Sequence, residues 1–148
     1  MPTDDDDLKD VNPGFPKAAA GFTLLAGAMG ILTGLHTVLS VRIFSHVWAG
    51  APYVLIVLGL ALGFFARNLY LARSWAAVGG MAVGLLMAAA SASWLFFSVT
   101  NGLIVLMAIW TPPGALLAVA LCAAALTPCR RAEEARQRLA AQGLDLGL

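Results

Sequence analysis

Charge is what this sequence has least of. Only 11% of its 148 residues are Asp, Glu, Lys or Arg, where soluble domains carry roughly a quarter. No charged residue falls between Lys17 and Arg42, between Arg42 and Arg67, or between Arg73 and Arg130. Three uncharged blocks of that length exclude a soluble globular domain and point to the membrane. All eight acidic residues lie outside these blocks, which removes the buried Asp or Glu that proton-coupled transport generally uses.

Cysteine is almost as scarce. Cys122 and Cys129 stand seven residues apart, two turns along one helix face, too far for a disulfide. They read as reduced thiols, and no Cys-x-x-Cys motif supports thiol redox chemistry. Catalytic signatures are missing too: there is no His-Glu-x-x-His, no glycine-rich phosphate loop, and no nucleophile with a base at usable spacing. His36 and His46 alone make a poor zinc or copper site without a third ligand. No enzyme activity, metal or cofactor is therefore expected. Nucleic-acid binding is rejected as well. The net charge is only +1, and the C-terminal arginines Arg130, Arg131, Arg136 and Arg138 adjoin an apolar run and are partly offset by Glu133 and Glu134.

What the chain does have is apolar length: 60% of it is hydrophobic. Residues 1–17, acidic and rich in Pro and Gly, read as a flexible tail. They lack the basic start and short apolar core of a signal peptide, so the first apolar run is expected to stay as a membrane helix. With about 20 apolar residues needed per crossing, spans are placed at 18–41, 47–66, 75–99 and 103–126. Thr100 to Gly102 supplies a turn between the last two. Residues 128–148 read as a short juxtamembrane helix and tail, with Arg130 to Glu134 and Glu134 to Arg138 at i,i+4 and Gly143 as a stop. The expected fold is all-α, an integral membrane four-helix bundle.

Four spans put both termini on one side of the membrane. That side holds Lys9, Lys17, Arg67, Arg73, Arg130, Arg131, Arg136 and Arg138, eight basic residues against Arg42 alone on the other. Basic residues concentrate in cytoplasmic segments. Both termini are therefore expected in the cytoplasm, with the chain in the cytoplasmic, or inner, membrane.

Glycine pairs four apart mark three of the spans: Gly30 and Gly34, Gly59 and Gly63, Gly80 and Gly84. In lipid, apolar burial gives helices no net drive to associate, so small residues that let backbones approach become the packing surface. At 100° per residue, Leu24, Ala28, Ile31, Leu32, Leu35 and Leu39 of the first span fall on one half. Phe22, Gly30, Thr33, Gly34, His36, Thr37 and Ser40 fall on the other, expected to face the bundle. In the third span Ala76, Gly80, Gly84, Ala88, Ser91 and Ser98 share the inner face, with Val78, Leu85, Ala89 and Phe96 opposite.

One stretch breaks the pattern. "IWTPPGALLA", Ile109 to Ala118, sets Pro112 and Pro113 inside the fourth span. Neither has an N–H, so the carbonyls of Ala108 and Ile109 lose their helical partners. A kink or a short unwound turn is expected from Trp110 to Gly114. His36 and Ala108 each lie five residues from the outer end of their spans, at similar depth, with Thr33, Ser40, Ser91, Ser93 and Trp94 in or next to that layer. The break is therefore expected to border a small polar chamber lined by His36, Thr33, Ser40, Ser91, Trp94, Trp110, Thr111, Pro112 and Pro113. His36 is the one ionisable residue well inside a span, which makes it the default functional candidate.

Two functional expectations follow. One is a non-enzymatic multi-pass membrane protein, an accessory or scaffold subunit or a self-associating bundle, whose surplus small-residue faces meet a membrane protein partner or a second copy. The other is a small transporter or channel-like protein working through the chamber beside the fourth helix.

Overall fold

A computed structural model of the chain describes residues 13–40, 50–100 and 106–141. Most of the acidic first segment, the connection with Arg42, His46 and Trp48, the turn at Asn101 and Gly102, and residues 142–148 lie outside these. The described residues form four helices: α1 Gly14–Ser40, α2 Ala51–Tyr70, α3 Ser74–Thr100 and α4 Leu106–Ala141. All four are long and apolar enough to cross a membrane. The protein is a multi-pass, all-α membrane protein.

Local sequence sets the helix limits. Pro16 sits in the first turn of α1 and Pro52 at the start of α2, where a missing N–H costs no helical hydrogen bond. The turn from α2 to α3 is only Leu71–Arg73, shorter than the break from 67 to 74 that the apolar runs suggest. Arg67 to Tyr70 continue α2 because a helix does not need apolar residues once it leaves the hydrocarbon. The turn closes through Ala72, whose N–H bonds the Leu69 carbonyl at 2.8 Å, and Arg73, whose N–H bonds that of Asn68 at 3.3 Å. Ala72 takes a left-handed backbone, φ 51°, a conformation that costs a non-glycine residue roughly 1–2 kcal/mol.

The last helix differs most from the expectation. It is helical without interruption through Pro112, Pro113 and Pro128 for 36 residues, so no unwound turn interrupts residues 110–114 and no break sets off a separate helix after Pro128. At 1.5 Å per residue it spans about 54 Å, well beyond a hydrocarbon core of about 30 Å. Two things carry it past Pro128: the strong helix formers of "RRAEEARQRLAA", and contacts with the α2–α3 turn described below.

The helices run antiparallel in a ring, α1 beside α2 and α4, and α3 beside α2 and α4, with little contact across the α1–α3 diagonal. Lys17, Arg67, Arg73 and Arg130 mark one end, the basic end. The core beside it is built mostly of small residues, among them Ala19, Ala76, Ala77, Cys122, Ala125, Cys129 and Ala132, closed by Leu69. Toward the far end larger side chains fill the axis, with Leu55, Leu62, Met87 and Trp94 buried among Ala108, Ala115 and Ala118. The inward residues of α1 include Thr23, Ala26, Gly30, Thr33 and Thr37, a spacing near 3.5 that suits antiparallel bundle packing.

Candidate functional site

The polar layer expected around the double proline is only partly drawn together. Thr33 and Thr111 meet inside the α1–α4 seam with their hydroxyl oxygens 2.9 Å apart, both side chains fully buried or nearly so. Thr111 precedes the double proline, so this polar contact lies directly beside it. Ser91 is buried on α3 and donates to the carbonyls of its own helix, Met87 at 2.7 Å and Ala88 at 3.1 Å. Thr37 donates to Thr33 O at 2.7 Å, and Ser98 to Trp94 O at 2.8 Å. Trp94 is buried with its ring tilted against Phe97, centroids 5.5 Å apart.

The remaining members point elsewhere. His36 is exposed, because the inward stripe runs through Thr33 and Thr37 and His36 stands one step, 100°, off it. Phe22 is exposed for the same reason, one step before Thr23. Trp110 is 67% exposed, one 100° step from the buried Thr111 on α4. Pro113 is exposed and Pro112 half-buried. The side chain of Ser40 lies outside the described residues. Beside the prolines there is instead a surface notch of about 310 Å³ between α1 and α4, bounded by Met29, Trp110, Pro113, Gly114 and Leu117, with an apolar lining.

The packing glycines divide as clearly. A methyl group built on Gly34 falls 2.6 Å from the Pro52 carbonyl oxygen, one on Gly59 falls 2.5 Å from that of Gly27, and one on Gly84 falls 2.7 Å from Val119. A methyl on Gly30 would overlap Met87, and one on Gly80 would reach Cys122 Sγ at 3.0 Å. Gly63 is different, with only Leu24 nearby at 3.9 Å. Two positions outside the four-apart pairs are equally tight. Gly27 meets Gly59 across the α1–α2 seam, and Gly79 accommodates the Phe65 ring.

The basic end holds contacts that a linear reading misses. Glu133, on the extension of α4, accepts a hydrogen bond from the Ser74 backbone N–H at 2.8 Å. Its carboxylate thus meets an orphan donor at the start of α3, at the positive pole of that helix. One turn on, the Arg136 guanidinium donates to the Leu71 carbonyl at 2.9 Å. The α4 extension is therefore fastened to the α2–α3 turn. The one available signal was that Ser74 opens a helix with no acidic residue in its first turn, which leaves its donors to a distant acceptor. Across the bundle, Lys17 places its ammonium 5.5 Å from the centre of the Tyr70 ring.

Among the described residues no three His, Cys, Asp or Glu side chains come together in a metal-holding group. Cys122 and Cys129 are buried free thiols, and Cys122 Sγ lies 3.4 Å from Thr23 Oγ1. No family model matches the chain, and no curated protein or solved structure is similar to it.

Proposed function

We propose that the chain is a non-enzymatic scaffold or accessory subunit of the cytoplasmic membrane, both termini cytoplasmic, which holds a membrane protein partner or a second copy of itself against its helix faces. One observation carries the reading. The interior hydroxyls of Thr33, Ser91 and Thr111 beside the double proline, and of Thr37 and Ser98 toward the far end, bond within the bundle, so these hydroxyls are satisfied there. A transport path would need such groups turned toward a shared opening. The apolar notch at Met29, Trp110 and Gly114 suits a helix face: a small residue is flanked by a large exposed aromatic that would gain contacts on docking. A bend of α4 at Pro112 and Pro113 belongs to the same proposal, since it would shape this notch.

Purification in mild detergent followed by mass measurement tests it. The expected result is a homo-oligomer or a stoichiometric partner, weakened by Trp110→Ala. A lone monomer in native-like lipid nanodiscs, with no co-purifying protein, would rule the proposal out.

A further inference from the structure

The seam between α1 and α2 is closed tightly along most of its length and opens at one place. Gly34 against Pro52, and Gly27 against Gly59, bring the two backbones into direct contact. Toward the basic end the same seam has two further glycines, Gly21 and Gly63, with no such neighbour. A methyl group built on Gly21 meets nothing within 4 Å, and one on Gly63 meets only the tip of Leu24. Between them lies a groove of about 330 Å³, with Leu24 at its apolar inner end and Lys17, Arg67 and Tyr70 at its mouth. That volume is at the lower end of ordinary small-molecule sites, about 300–1,000 Å³.

Depth and charge together select the occupant. From Lys17 to Leu24 is seven residues of helix, about 10 Å, so a ligand entering beside Lys17 would follow the helices down into the hydrocarbon layer. None of the lining residues is acidic. Lys17 is held over the Tyr70 ring, and Arg67 stands in the last turn of α2, so both cations are placed where the apolar spans give way to polar surface. Guanidinium and ammonium groups at that level match a phosphodiester, Arg by paired N–H donors and Lys as a point charge. We infer that this groove is a binding site for one anionic phospholipid, its phosphate held by Lys17 and Arg67 and the upper part of an acyl chain lying over Gly21 and Gly63. The glycines keep the groove open in the same way that Gly27 and Gly59 keep the seam closed. In one case the missing side chain admits a helix, in the other a lipid.

Native mass spectrometry of the detergent-purified full chain, titrated with phosphatidylglycerol or with phosphatidylcholine of the same chains, tests the site. One saturable phosphatidylglycerol should bind in preference to phosphatidylcholine. The paired substitution Lys17→Gln with Arg67→Gln should reduce that preference about tenfold or more, since each cation near an anionic lipid is worth about a factor of five. Arg130→Gln with Arg131→Gln, at the same end but outside the groove, should leave it intact. Gly63→Leu should fill the groove and weaken phosphatidylglycerol, with Ala82→Leu, on the exposed face of α3, as the control for added bulk elsewhere. Equal binding of the two lipids would overturn the inference, as would equal losses from the two cation pairs. So would glycerol phosphate competing as well as the lipid, which would mean that the acyl chain contributes nothing.

Discussion

At the scale of single residues, the same amino acid does opposite things according to what lies across the seam. Gly59 sits where a side chain would collide with the Gly27 carbonyl and with Ile31, backbone and branched groups that cannot easily move aside. Gly59→Ala is therefore expected to destabilise the bundle by about 1–3 kcal/mol through overpacking, read as a lower unfolding midpoint in detergent. Gly63→Ala, with room for its methyl, should be neutral or stabilising by up to about 1 kcal/mol, because alanine favours the helix. An equal loss at both positions would show that the α1–α2 seam is closed over its whole length. The Thr33–Thr111 contact is open to a double-mutant cycle with valine at each position. Buried hydrogen bonds between membrane helices average about 0.6 kcal/mol of coupling and reach about 1.7. Values in that range are expected, and zero coupling would place the two hydroxyls on separate partners.

At the scale of elements, α4 is two devices in one helix. Its membrane part carries the double proline, where covalent structure leaves Ala108 and Ile109 carbonyls without helical donors. Replacing Pro112 and Pro113 together by Ala restores both bonds and should raise thermal stability. If the prolines also shape a partner notch, the same change should weaken association, which distinguishes a shaped surface from a tolerated irregularity. The extension beyond Pro128 acts as a clasp on the α2–α3 turn through Glu133 and Arg136. Glu133→Ala should cost about 1 kcal/mol, the usual worth of a helix cap, and should speed amide exchange at Ser74 in the first turn of α3. Unchanged exchange there would mean that the extension leaves the bundle in solution.

At the scale of the whole molecule, four antiparallel spans place Gly14 and Ala141 on one side, and in the proposed function that side is the cytoplasm, on the balance of basic residues. Reporter fusions after Leu148 and within Ser45 to Gly50 should give cytoplasmic and external signals respectively. Reversed signals would overturn the orientation, and identical ones the number of spans.

The number of helices, their class and the inward face of α3 were legible in the sequence. Hydrocarbon thickness fixes how long an apolar run must be, and a backbone in lipid has no other way to satisfy its polar groups than to be helical. On α3, Ala76, Gly80, Gly84, Ala88, Ser91 and Ser98 are all buried, and Val78, Leu85, Ala89 and Phe96 are all exposed, because small residues recur along one side of that helix, where the large Met87 and Trp94 are buried with them. α1 is less segregated, and there periodicity put His36 and Phe22 on the wrong side of a stripe only one residue step away. Which glycine meets a neighbour and which borders a groove, that Thr33 finds Thr111, and that Glu133 caps a helix 59 residues earlier in the chain are settled by how the helices slide and rotate against one another. In lipid an apolar face gains nothing merely by turning inward. Register is set instead by close contact and hydrogen bonds between surfaces distant in sequence, and those exist only once the tertiary structure has formed.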